Sequence, residues 1–347
     1  MSKRMMRKGA VLLLSFALLL SGLGEADASP PQVERGALPI TIGYQSNTDW
    51  LLLVARDLHL FERAGLRPSF VKFVAGPPMI AAAREQSIDV ASIGSVPFIS
   101  GLTQGVDWVV VGINPENAYG EGLVARRGSG IETVADLAGK RIGFFRGSTA
   151  HFGLMMTLRQ LGIRRDQVEL LDMPPAEQLS ALAGNRIDAA MVWEPWMQKM
   201  VHEANGRLIV TEGAMGIYTS VSVYAARSAW LRENREAAVR FLRALLMASK
   251  VMQKSPEVGI KALAREMSIR EEWAEAIHEN SPPPDLSLWV DARYRYSLVK
   301  DAEFHRRLGY LVTFLLEEEV ISEEVDVRNI LDVSVITEAL KTREAER

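Results

Sequence analysis

Two hydrophobic periods alternate along most of this chain. Leu38, Ile40 and Ile42 alternate with Pro39 and Thr41, a period of two that predicts a strand ending at Gly43-Tyr44-Gln45. Asn47, Thr48 and Asp49 are potential caps for a helix through Leu51, Val54, Leu58 and Phe61, closed by Gly65. Ser69 to Val74 reads as the next strand, with a turn at Gly76-Pro77-Pro78 and a helix from Met79 to Glu85. Apolar runs at Val90–Ile93, Val109–Ile113 and Leu123–Ala125 predict further buried strands. The same alternation continues with strands near Ile142–Phe145, Val168–Leu171, Ile187–Val192 and Leu208–Thr211. Helices are expected between them, from Thr149, over Pro174–Ala183 and over Pro195–Ala204. Tyr218–Tyr224 alternates like a strand, and Ala229–Lys254 reads as one long amphipathic helix. Shorter helices follow around Pro256–Met267, Arg270–Glu279 and Asp301–Glu318, and the charged tail after Arg328 is expected to fray. Strands alternating with helices predict an α/β fold with largely parallel sheets.

An internal echo suggests two such units. Ile88-Asp89-Val90-Ala91, followed by Pro97, recurs 99 positions later as Ile187-Asp188-Ala189-Ala190, followed by Pro195. Asp89 and Asp188 each precede a strand and read as turn or capping residues, not as a catalytic pair. Chain crossings near Glu121 and Val221 would join the units through a hinge.

Composition narrows the functional classes. The chain has 347 residues, 48% hydrophobic and 24% charged, enough for two packed domains. Lys3, Arg4, Arg7 and Lys8 precede the apolar run Ala10–Leu23 and the small-x-small site Ala26-Asp27-Ala28. This pattern predicts a secretory signal peptide over 1–28, cleaved after Ala28, and therefore a periplasmic protein. Cleavage removes four basic and two acidic residues and moves the formal charge from −3 to −5, which gives nucleic-acid binding no support. There is no cysteine, hence no disulfide, thiolate metal site or cysteine nucleophile. No phosphate-binding glycine motif, nucleophile elbow or zinc-binding helix is present, so no catalytic residue, metal or cofactor is expected.

One stretch carries chemistry: Gly139 to His151. It reads as a buried strand, a Gly147-Ser148 turn and a helix beginning near Thr149. The first turn of a helix exposes N–H groups without intrahelical partners at the positive end of its dipole. Gly147 allows close approach to the backbone, and Ser148 and Thr149 add hydroxyls, so the turn suits a small oxyanion. The competing reading is that Ser148 or Thr149 only caps the helix. Trp193 and Trp196 flank a second turn at a strand end, with Glu194 between them. There the two tryptophans could line a cleft, and Glu194 could be a solvated turn residue, a hinge ion-pair partner or a carboxylate facing a ligand cation.

The order of these motifs resembles the solute-binding components of ABC importers for sulfonates, taurine, nitrate and pyrimidine precursors. The resembling segments are Ile42-Gly43-Tyr44-Gln45, Asp89 to Gly94, Val134 to Gly143, Gly147 to His151, Ile187 to Ala190 and Trp193-Glu194-Pro195, within roughly residues 38 to 280. The resemblance implies a type II periplasmic binding protein fold, two α/β lobes joined by two crossover strands with a ligand cleft between them. On that basis 29–37 is a linker, 38–121 and 222–300 form lobe 1, 122–221 forms lobe 2, and 301–347 is a C-terminal helical extension. The expected ligand contacts are Tyr44, Gln45, Asn47, Gly76, Ser95, Asn114, Ser148, Thr149, Ala150, His151, Trp193, Glu194 and Tyr218. The implied protein is a monomeric, non-enzymatic receptor for a small oxyanion, an aliphatic sulfonate or taurine, that serves an ABC permease and its ATPase. Nitrate, bicarbonate or a pyrimidine are the alternative ligands. An enzyme on the same fold and the sensing domain of a transcription regulator are the competing classes. Both act in the cytoplasm, which the signal peptide argues against.

Overall fold

Two five-stranded sheets of matching topology organise the chain. The computed structural model describes residues 36–45, 47–114, 117–217 and 221–345, without the side chains of 117, 118 and 342–345. The expected signal peptide, nearly all of the linker, and Tyr218 lie outside the described residues. The strands are β1 (Leu38–Gln45), β2 (Leu66–Phe73), β3 (Val90–Gly94), β4 (Trp108–Asn114), β5 (Glu121–Arg126), β6 (Arg141–Phe144), β7 (Glu169–Asp172), β8 (Ala189–Trp193), β9 (Gly206–Thr211) and β10 (Ser222–Arg227). The first sheet has the order β2-β1-β3-β10-β4 and the second β7-β6-β8-β5-β9. Position by position, β1 corresponds to β6, β3 to β8 and β10 to β5. Each sheet is parallel except for one central antiparallel strand, β10 or β5. The chain leaves the first sheet after Asn114 and returns to it at Ser222, which gives two crossings.

The helices are α1 (Trp50–Asp57), α2 (Leu60–Arg63), α3 (Pro77–Arg84), α4 (Ser95–Thr103), α5 (Asn117–Gly120), α6 (Thr149–Gln160), α7 (Pro175–Ala183), α8 (Trp196–Glu203), α9 (Ser228–Glu233), α10 (Arg235–Lys254), α11 (Pro256–Met267), α12 (Glu271–Asn280), α13 (Glu303–Glu317) and α14 (Val333–Ala345). All described residues belong to one compact unit.

The sequence echo has a structural cause. Asp89 accepts from the Thr41 N–H at 2.8 Å and from Arg227 at 3.0 Å. Asp188 accepts from the Arg141 N–H at 3.1 Å and from Arg126 at 3.2 Å. In both halves the aspartate ties the start of a parallel strand to its neighbour and to the antiparallel strand's arginine. Arg141 also grips Asp188 through its side chain, and this holds the Asp188 carboxyl down at about 2. A Cβ on Gly43 would lie 2.8 Å from Ile88 Cδ1, and one on Gly143 would lie 2.9 Å from Ile187 Cδ1. The repeated Ile-Asp pair therefore needs a glycine on the adjacent strand.

Three expectations change. The helix expected through Phe61 breaks at His59, whose φ of 52° is left-handed, so α1 and α2 are separate. The long helix from Ala229 breaks at Asn234, where φ is −123°, and its side-chain amide donates to the Trp230 carbonyl in competition with the helical ladder. The tail after Arg328 does not fray: Leu331 bridges in parallel to Val110 at the β4 edge, and α14 packs on α10 with Val335 and Ile336 fully buried. Apolar side chains spaced for one helical face outweigh the high local charge. The strand expected from Tyr218 is described from Ser222.

Candidate functional site

The relevant edge of each sheet gathers the carboxyl ends of its parallel strands and the amino end of its antiparallel strand, the place where open α/β sheets bind ligands. In the second half, β6 ends at Phe144 and a turn leads into α6. Gly147 has φ +74°, a conformation that glycine adopts without steric cost. Ser148 is the N-cap of α6: its hydroxyl accepts from the His151 N–H at 3.2 Å and donates to the Phe145 carbonyl at 2.7 Å. The Thr149 hydroxyl donates to the Glu121 carboxyl. Both hydroxyls are thus engaged within the protein, and what this turn offers a solute is the backbone of the first helical turn. His151 is buried, and desolvation, reinforced by Arg146, lowers its pKa to about 4, so the imidazole is neutral. The His151 ring lies 4.9 Å from that of Phe144.

Opposite stands the edge of the first sheet. Ser222 is in register with Gly94 on one side and Asn114 on the other, and the Asn47 amide donates to the Ser222 hydroxyl at 3.3 Å. Ser95 follows Gly94, and its N–H donates to the Val221 carbonyl at 2.7 Å. The two edges touch: a Cβ on Gly94 would lie 2.9 Å from Thr149 Cγ2. Along this contact several buried polar atoms have no hydrogen-bond partner within the protein. They are both amide atoms of Asn114, Gln45 Oε1, Asn47 Oδ1, His151 Nε2 and Trp193 Nε1. Buried polar groups are nearly always satisfied, which makes this edge the candidate site.

The expected residues divide accordingly. Gln45, Asn47, Ser95, Asn114, Ser148, Thr149, Ala150 and His151 sit on facing strand ends and helix starts, and all are buried. Tyr44 stands apart from that group. Its hydroxyl meets Arg56 at 3.2 Å and Glu266 at 3.4 Å, because successive strand residues face opposite sides and the Gln45 amide takes the other side. Gly76 packs against Pro97, where a Cβ would clash, so it serves close packing of the β2–α3 turn on α4. Trp193 ends β8 opposite Glu121. Glu194 is buried, accepts from the Gln198 N–H at 3.2 Å, and is pushed up to about 8 by desolvation. It lines a cavity of about 90 Å³ with Tyr119, Gly120, Gln198, Asn280 and Ser281.

Sequence reasoning missed a buried acid pair. Glu121 begins β5 and Glu212 follows β9, and each is 1% exposed. The two share a hydrogen bond, and burial raises Glu121 to about 7. A Cβ on Gly153 of α6 would collide with the Glu212 carboxyl. The available signal was a glutamate beside the apolar middle of each of two strands, before Leu123-Val124-Ala125 in one and after Leu208-Ile209-Val210 in the other.

Known proteins place this geometry. A putative aliphatic sulfonates-binding protein of Bacillus subtilis is 24% identical over 97% of this chain and 98% of its own length. The alkanesulfonate-binding protein of Xanthomonas axonopodis pv. citri, solved bound to MOPS, superposes with a TM-score of 0.72 at 22% identity, over 86% of this chain and 98% of that one. A desulfurization enzyme bound to biphenyl-2-sulfinic acid shares the fold with a TM-score of 0.66 at 17% identity, over 88% of this chain and 99% of that one, so architecture alone does not separate a receptor from an enzyme. The architecture is that of the periplasmic solute-binding proteins among these neighbours. The model of the NMT1-like family matches residues 35–265, well over half of the chain, and the protein belongs to that family.

Proposed function

We propose that this protein is the periplasmic receptor of an ABC importer, which captures an aliphatic sulfonate or taurine and delivers it to a membrane permease and its ATPase. The observation that carries the reading is the uncharged start of α6 set against a row of buried, unsatisfied amides. A helix N-terminus supplies donors and roughly half a positive charge. That suffices for a weakly basic oxyanion that stays ionised at neutral pH. In this reading the sulfonate lies on the backbone at Ser148–Ala150, Gln45, Asn47, Asn114 and Ser95 face it from the other lobe, and Trp193 covers the apolar stem. Glu194, raised to about 8 by desolvation, gives up its proton to pair with an ammonium group where the solute has one, since a buried cation lowers a neighbouring carboxyl. Residues 1–28 are removed on export, and the mature monomer closes its lobes, 38–121 with 222–300 and 122–221, around the solute. In this reading it returns the solute chemically unchanged, and a cysteine nucleophile is excluded because the chain has no cysteine.

Isothermal titration against ethanesulfonate and taurine tests the assignment. Ser148→Ala is expected to weaken both about tenfold, or ~1.4 kcal/mol, through loss of the cap that orders the turn. Glu194→Gln is expected to weaken taurine more than ethanesulfonate. Scattering should show a smaller radius of gyration with bound solute. If neither sulfonate binds while nitrate, bicarbonate or a pyrimidine does, the sulfonate assignment fails and the receptor role stands. Recovery of a chemically altered solute would restore the enzyme reading.

A further inference from the structure

The acid pair joins the start of β5 to the end of β9, and it occupies the ground next to the proposed anion site. Thr149, the first residue of α6, donates to Glu121, and Glu212 lies against Gly153 one turn further along. Both acids are buried, and they are bonded to each other. Two buried carboxyls in contact keep one proton between them, which leaves a single negative charge that belongs to the pair. No lysine or arginine is among the site residues named above. Arg146 precedes the turn but is half-exposed and paired with Asp172 at 3.7 Å. The α6 terminus is therefore the chief positive feature, and it is shared between the pair and the solute. The unsatisfied amides of Asn114, Gln45 and Asn47 line the facing edge, and none of them contributes charge.

We propose that the Glu121–Glu212 pair sets the charge of the solute, admitting a monoanion such as a sulfonate and rejecting a dianion such as a phosphonate or sulfate. This rests on the reading that the solute's anionic end sits at the start of α6. A single negative charge can be met by the helix terminus with the pair singly protonated. A second charge would face the pair where, among the described site residues, the nearest cation named is Arg146, half-exposed and paired with Asp172, and where such repulsion is poorly screened. Binding of a monoanion also favours the protonated pair. Other groups facing this edge that can titrate are Glu194, which holds its proton to about 8, and His151, which stays neutral.

The test compares a monoanion with a dianion in the full mature chain, in buffer below about pH 7 where the pair holds its shared proton. Ethanesulfonate is a monoanion there and sulfate a dianion. Wild type should bind ethanesulfonate at least a hundredfold more tightly than sulfate. In Glu121→Gln/Glu212→Gln that gap should shrink to less than tenfold, with ethanesulfonate binding retained. Titrations in buffers of different ionisation enthalpy should show net proton uptake with ethanesulfonate in wild type and none in the double variant. If the double variant does not fold, Glu212→Gln alone carries the same readouts. An unchanged gap in a folded variant overturns the filter and leaves the sulfonate site standing. Wild type that binds no sulfonate overturns the site itself.

Discussion

The two halves of the molecule solve the same problem differently. In each, a strand ends, a turn follows and a helix begins at the inner edge: β1 into α1, and β6 into α6. At the start of α1 the chain supplies its own acid. Asp49 is buried, and it accepts from the Leu52 N–H at 3.2 Å, the Ser92 hydroxyl at 2.5 Å and the Tyr224 hydroxyl at 2.6 Å. Burial pushes its carboxyl up, and those three donors act against that. At the start of α6 the equivalent cap is Ser148, which is neutral. One helix terminus has its acid in the cap itself. The other has a neutral cap and a buried acid pair bonded to its first residue, and we propose that it shares its positive end with the solute. Equal architecture thus carries its negative charge in different places at the two corners.

Four experiments break or sharpen this contrast. Ser148→Asp installs the first half's solution in the second. Aspartate caps helices as well as serine does, so the melting temperature should hold or rise. Binding of ethanesulfonate should fall by at least a thousandfold, on the order of 4 kcal/mol, in a calorimetric titration. Binding equal to wild type would show that the solute does not use this terminus.

The next largest effect is on pH-dependent stability, and it lies in the second half. Glu194 holds its proton to about 8 in the fold, against 4.5 for a free glutamate. The folded state therefore binds more protons than the unfolded one in that window. Its contribution is complete below about pH 4.5 and is lost as pH rises through about 8. Wild type should lose on the order of 4 kcal/mol across that interval from this group, at about 1.36 kcal/mol per unit. In Glu194→Gln the decline, followed by chemical denaturation at several pH values, should be visibly shallower. Equal slopes would mean that the carboxyl ionises freely in the fold.

Asp49→Ala should cost about 3 kcal/mol in denaturant unfolding, by removing a cap and stranding two buried hydroxyls. A cost below about 1 kcal/mol would mean that the first corner is not internally satisfied. The smallest effect tests the repeat itself. Gly43→Ala and Gly143→Ala both push a methyl into an isoleucine, and each should destabilise by about 2 kcal/mol. Values differing by more than about 1 kcal/mol would show that the two halves pack their Ile-Asp segments differently.

Several of these features were legible before any coordinates. The recurrence of Ile-Asp before a short strand marks an interaction local to adjacent strands, so it appears in the sequence as a repeat. The Gly-Ser-Thr turn was readable because left-handed backbone and N-capping each favour few residue types. The roles of the turn's hydroxyls were not, because a serine that caps and a serine that binds look alike along the chain. The hydroxyl of Tyr44, which meets Arg56 and Glu266, illustrates a related point. Alternation puts neighbouring strand residues on opposite faces, and the sequence does not say which face looks into the cleft.

What the sequence determined by itself is the set of elements and their kind, since hydrophobic period, caps and glycines act within a few residues. It determined the two-unit plan through its own repetition, and it nominated the start of α6. The tertiary structure alone decided which polar groups meet. Glu121 and Glu212 are 91 positions apart; one opens β5 and the other follows β9. Only the side-by-side pairing of β5 and β9, set by long-range backbone hydrogen bonds, brings their carboxyls together beneath α6. Desolvation then gives the pair its shared proton, and desolvation is a property of everything packed around a residue.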